Sequence, residues 1–142
     1  MKYLGLDLGT RTLGLAISDA TGLIATSYKI IRHDEEYDRL IDVLNDEIID
    51  NNIDELVLGF PKNMDKTIGE RGQIALQFKD KLEKELNIPV HMQDERLSTV
   101  EATNLLLAND LSRNKRKKVI DSVAATIILQ SYLDRKGREN NE

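Results

Sequence analysis

The chain has 142 residues, 40% of them apolar, 32% charged and 4% aromatic, which suits one domain with its own core and leaves little room for two. With no cysteine, disulfides, thiolate zinc sites and thiol catalysis are excluded. The formal charge of -5, from 20 Lys+Arg against 25 Asp+Glu, argues as a bare mean against a nucleic-acid partner.

In chain order, residues 2–8 (KYLGLDL) alternate, with Leu4, Leu6 and Leu8 on one face and Tyr3, Gly5 and Asp7 on the other, which predicts a strand. Gly9-Thr10-Arg11 makes a turn, and Leu13–Ser18 reads as a second strand. Asp19–Gly22 is another turn, followed by a third strand from Leu23 to Ile31. Turns this short imply antiparallel neighbours. Tyr37, Leu40, Ile41, Leu44 and Ile48 then recur at helical spacing between acids. Glu55–Phe60 (ELVLGF) is an apolar strand of the buried parallel kind, ended by Pro61.

After a loop, a second helix carries Ala75, Phe78, Leu82 and Leu86 on one face, and Pro89–Gln93 is a fifth strand. Ser98 is placed to cap a helix, with Glu101 at the capping-box position, and that helix ends near Asn109. A last helix runs from about Lys117 to Leu133. Residues 1–136 are expected to form one domain and 137–142 a disordered tail. The order βββ-α-β-α-β-α-α predicts a mixed α/β layered domain. Asp7 interrupts the apolar region a signal peptide would need, and no apolar run reaches the roughly 18 residues of a spanning helix. The expectation is a cytoplasmic chain with no membrane partner.

The charge is unevenly placed. Asp34–Glu55 holds ten acids and one base, leaving 15 acids and 19 bases elsewhere, a net of +4. Residues 113–118 read RNKRKK. The acidic first helix is expected to lie away from the functional face.

Three acids stand out. Asp7 is on the non-leucine face of the first strand, flanked by Gly5 and Gly9; it could equally be a solvated or turn-initiating acid. Alternation puts His91, Gln93 and Glu95 on one face of the fifth strand, although Glu95 could simply pair with Arg96. Asp121 lies in VIDSVAATIIL, apolar nearly all round, with small Ala124 and Ala125 one turn on; its alternative is a helix-start acid favoured by the macrodipole. Two acids on neighbouring strands and one on a helix across them, without cysteine, suit a hard cation such as Mg²⁺ or Mn²⁺. Two such ions would serve phosphodiester cleavage.

The segments LDLGTRTLGLAIS, LGFPKNMDKTIGERG, DERLST and DSVAATIILQSYL, in this order and spacing, resemble the YqgF (RuvX) family of bacterial ribonuclease H-like proteins. The resemblance runs from Tyr3 to Leu133. It implies a ribonuclease H-like fold, a five-stranded mixed sheet with helices on both faces. It also implies a cytoplasmic nuclease maturing the 5′ end of pre-16S rRNA, some relatives being Holliday-junction resolvase-like. The family pattern puts catalytic, metal-binding acids at Asp7, Glu95 and Asp121. One departure is Lys66, where the NMDG-type loop usually carries glycine.

Arg11, four residues after Asp7, could hold a phosphate bidentately. Lys62, Asn63, Lys66 and Arg71, read as one loop after the fourth strand, sit where parallel sheets bind ligands. Arg96, Lys115, Arg116, Lys117 and Lys118 are further candidates for the nucleic-acid backbone, and His33 and His91 are read as structural. The partner expected is a ribosomal RNA precursor or branched DNA, bound by a monomer or homodimer. A non-catalytic ribosome-assembly module is the alternative. A phosphate-loop ATPase, suggested by DLGT, would need far more chain.

Overall fold

The computed structural model describes residues 1–61, 68–94 and 113–140, and within the last segment the side chains of 123–137. Among these the elements are β1 (Tyr3–Leu8), β2 (Thr12–Ser18), β3 (Ala25–Arg32), α1 (Tyr37–Asn51), β4 (Glu55–Phe60), α2 (Glu70–Leu86), β5 (Val90–Asp94) and α3 (Arg113–Asn140). They build one five-stranded sheet in the order β3-β2-β1-β4-β5. β1, β2 and β3 meander antiparallel, as their short turns require, while β4 and β5 add in parallel. The helix expected between Ser98 and Asn109 lies outside the described residues.

The two faces of the sheet follow from the alternation. Leu4, Leu6 and Leu8 of β1, with Leu13 and Leu15 of β2 and Leu56, Leu58 and Phe60 of β4, bury one face. Leu40, Ile41 and Leu44 of α1 and Ala75, Phe78 and Leu82 of α2 cover it. The other face carries Tyr3, Ala16 and Val57 and is covered by Ala125, Ile128, Leu129, Tyr132 and Leu133 of α3. The acids of α1 therefore belong to the leucine side of the sheet. Glu47 is the one acid of α1 that is buried. Burial pushes its carboxyl up, but Lys29, Tyr28 and Asn51 all donate to it, and the net result is a group that ionises below its usual range.

α3 crosses β1 at very close range. A β-carbon on Gly5 would stand 2.7 Å from Leu129 Cβ and 3.3 Å from the Ala125 carbonyl oxygen. Further along, the Tyr132 ring meets the Tyr3 ring edge-on at 5.8 Å, and Lys136 donates to the Tyr3 hydroxyl. Ala125 and Leu129 thus sit at Gly5, and Tyr132 and Lys136 at Tyr3. The helix runs antiparallel to the strand.

Three boundaries differ from the sequence reading. β3 begins at Ala25 because the Asp19 carboxylate accepts the Leu23 and Ile24 N–H groups at 3.0 and 3.1 Å, which ties both residues into the turn. β5 begins at Val90, since Pro89 has no N–H to give the ladder, although its carbonyl still accepts from Leu56. α3 is much longer than expected. It takes in the RNKRKK run and continues through Gly137 to Asn140, over four residues read as a loose tail. Lys136, anchored on Tyr3, holds the helix to the sheet just before that point.

Two outcomes test this packing. Gly5→Ala should destabilise the fold by about 1–3 kcal/mol in urea titration, because Leu129 Cβ is fixed to the helix backbone and cannot swing aside. The Asp19 carboxyl, held down to about 2 by the Thr21 hydroxyl and then by the Ile24 and Leu23 N–H groups, lies below its ordinary 3.8. Its contribution is therefore full above pH 4 and is lost as pH falls through about 2. The urea midpoint of Asp19→Asn should fall less between pH 5 and pH 2.5 than that of the wild type.

Candidate active site

Asp7 sits next to the end of β1, half-buried, on the face that α3 covers, since Leu6 and Leu8 on either side of it enter the leucine core. Its register partner on β2 is Gly14. On the other side the β1–β4 register, which pairs Leu6 with Leu58, continues to Gly59. Gly5 and Gly9 flank it along its own strand. Its neighbours in the sheet and along the chain are thus glycines, whose lack of side chains suits the close approach of a ligand. The C-terminal edge of parallel strands is also where α/β sheets usually bind ligands.

Beyond Gly59, the β4–β5 register brings Gln93 into the same row. Its Oε1 is buried and has no hydrogen-bond partner among the described residues. An acceptor left in that state costs about 1–3 kcal/mol, so it calls for a donor or a cation. A carboxylate and an amide oxygen in one row, in a chain without cysteine, fit a hard divalent cation with oxygen ligands. Among the described residues no three His, Asp or Glu side chains gather to hold a metal. Glu95 lies outside the described residues, and so does the Asp121 side chain, although position 121 is within α3.

The turn after Asp7 is locked by His33. The ring is 4% exposed. Its Nε2–H donates to the Gly9 carbonyl at 2.9 Å and the Thr12 carbonyl at 3.2 Å, while Nδ1 accepts the Glu35 N–H at 3.0 Å. The His33 N–H also donates to the Arg11 carbonyl at 2.9 Å. The structural reading of His33 holds, with a sharper content: it fixes the loop that carries Arg11. His91 has a structural role too. Its Nε2 donates to Glu55 Oε1 at 2.8 Å, and its ring stacks on Tyr132 at 5.1 Å.

The basic candidates divide. Arg11 pairs with Asp34 at 3.1 Å, both side chains about three-quarters exposed (78% and 75%), so the pair is weak. Arg71 is not in a loop. It lies in the first turn of α2, and its guanidinium donates to the Leu8 carbonyl at 3.1 Å, bracing the strand end beside Asp7. Lys115 and Arg116 belong to the start of α3 rather than to a run before it, and Lys117 and Lys118 follow them in the same helix, as expected; the side chains of all four lie outside the described residues. Lys62, Asn63, Lys66 and Arg96 lie outside them as well. Sequence reasoning passed over Gln93, Arg32 and Arg39. Alternation put Gln93 on the right face, but a neutral amide carries no signal of its own.

The chain matches the family described as "RuvX: Holliday junction resolvase" over residues 1–135. It is 51% identical over 135 residues to the "Putative pre-16S rRNA nuclease" of Bacillus subtilis (strain 168), covering 94% of this chain and 98% of that one. It is 48% identical over 137 residues to the Oceanobacillus iheyensis protein of the same name, covering 96% and 100%. Among solved structures it is similar to "T. thermophilus RuvC in complex with Holliday junction substrate", with a TM-score of 0.59 at 13% identity over 96% of each chain. The last likeness bears on the fold, which is ribonuclease H-like.

His33→Leu removes one donor and one acceptor from part-buried backbone partners at the turn. It should lower stability by about 1–3 kcal/mol in urea titration, with His33→Gln losing less.

Proposed function

Because the chain belongs to the RuvX family, we propose that it is a metal-dependent endonuclease for structured nucleic acid, maturing the 5′ end of pre-16S rRNA in the cytoplasm. The observation that carries this reading is the Asp7 carboxylate, set among glycines at the C-terminal edge of β1, with the Gln93 oxygen, unpartnered among the described residues, in its row.

Asp7, Glu95 and Asp121 would hold Mg²⁺ or Mn²⁺. When bound, such ions would supply an activated water and neutralise charge at the phosphodiester. In support of Glu95, His91 and Gln93 alternate with the apolar side of β5, His91 stacks on a ring of α3, and the sequence alternation groups Glu95 with these two. In support of Asp121, α3 runs antiparallel to β1, with Tyr132 at Tyr3 and Ala125 at Gly5. Four residues of helix rise about 6 Å and two residues of strand about 6.6 Å, so one more turn takes position 121 toward Asp7. The carboxylates then act as ligands and not as a general acid and base. Arg11, Arg96 and the basic start of α3 would hold the phosphodiester backbone, which steepens the salt dependence of binding.

The family description favours a second substrate, the four-way DNA junction. A junction requires two cuts and hence two active sites, whereas a precursor rRNA requires one.

Labelled precursor rRNA and a labelled four-way junction, each incubated with Mg²⁺ or Mn²⁺, test both readings. Wild type should cut the rRNA only with metal. Asp7→Asn and Asp121→Asn should each lose about 10³-fold or more in rate while keeping the wild-type unfolding midpoint, the loss expected for several kcal/mol of charge stabilisation. RNA binding and cell growth unchanged in Asp7→Asn would instead favour a non-catalytic assembly factor.

A further inference from the structure

Beside the Asp7 row, at the end of the β1–β2–β3 meander, a hollow of about 320 Å³ is lined by Arg11, Arg32, His33, Asp34 and Arg39. The β2–β3 register pairs Arg32 with Thr12 and Ile30 with Gly14, and Gly14 is the β2 partner of Asp7. Leu13 and Ile31, between these rows, turn to the leucine core. Arg32 therefore stands on the Asp7 face of the sheet. It lies two strands across, about 10 Å, and one pleat further past the edge.

Three arginines against one aspartate leave the lining with two positive charges. Among the described residues Arg32 has no ion-pair partner. Arg39 reaches over from α1 and donates to the Arg32 carbonyl at 2.9 Å, with Glu36 at 3.5 Å on its other side and outside the hollow. The exposed Arg11–Asp34 pair is weak enough for a phosphate to replace the carboxylate. The floor is stiff, because His33 clamps the Gly9–Thr12 turn from below.

We infer that this hollow is a phosphate-backbone subsite, where Arg32, Arg11 and Arg39 hold the substrate strand on its way across β2 and β3 from Asp7. The inference rests on the nuclease reading above, and it extends the contact surface to the side of Asp7 opposite β4 and β5. The subsite recognises phosphates and not bases, so its loss weakens all sequences alike.

The test is fluorescence anisotropy of a labelled RNA stem with a single-stranded flank, titrated in EDTA across a KCl series, beside metal-dependent cleavage of the same RNA. Arg32→Gln is the cleanest variant because no described side chain depends on Arg32. It should bind several-fold more weakly at 0.1 M KCl, and its salt slope should fall by about 0.7, one single-strand contact. Adding Arg39→Gln should lower both further, Arg32→Lys should restore most of the slope, and Lys84→Gln on α2 should match wild type. A wild-type slope and affinity in Arg32→Gln, with wild type cutting normally, would overturn the subsite and leave the nuclease reading intact. Wild type that neither binds nor cuts would overturn both.

Discussion

The contact on which this molecule turns is the crossing of α3 over β1 at Gly5. Nothing larger than hydrogen fits there, since a β-carbon would stand 2.7 Å from that of Leu129. The missing side chain lets the helix lie down on the strand, and the ring and ammonium contacts at Tyr3 fix its direction. Once the crossing point and direction are set, the sequence separation between Asp7 and Asp121 no longer matters. On the reading proposed above, the end of one strand and one turn of a helix more than a hundred residues later would be brought toward the same row. A substitution at Gly5 would therefore act on the candidate active site through packing, although Gly5 carries no chemistry.

The same alternation that buries the leucines also isolates the charge. Leu6 and Leu8 point toward α1 and α2, which leaves Asp7 on the other side of the sheet from the acidic helix. The net charge of -5 is thus less of an obstacle to binding a polyanion, because the five acids of α1 lie on the far side of the sheet, and the chain outside Asp34–Glu55 is net basic. Of the acids outside α1, Asp34 lines the arginine hollow in an exposed pair with Arg11, and Glu55 stands on the α3 face, paired with His91.

Much of this was legible in the residues. The alternation of residues 2–8, the LGLAIS segment and the apolar run ELVLGF predicted β1, β2 and β4 nearly to the residue, and the switch to helical spacing after Asp34 predicted α1 and its buried face. Asp7 was found because a carboxylate among glycines on the polar side of a leucine strand is costly without a partner. What sequence could not show depended on contacts between distant segments. The late start of β3 comes from the Asp19 carboxylate capturing two N–H groups. The bracing role of Arg71 comes from a carbonyl 63 residues away. Arg32 and Arg39 are unremarkable as single letters and become a site only when a strand end and a helix start meet. His33 was recognisable as structural, but not as the clamp on the Arg11 turn.

The most direct measurement is anomalous diffraction from crystals grown with Mn²⁺. Convergence of the acids on one centre predicts a peak about 2.1 Å from an Asp7 carboxylate oxygen, with a carboxylate oxygen of Asp121 on the same peak or on a second one about 4 Å away. No peak at Asp7, or one with the Asp121 carboxylate on the solvent side of α3, would contradict it.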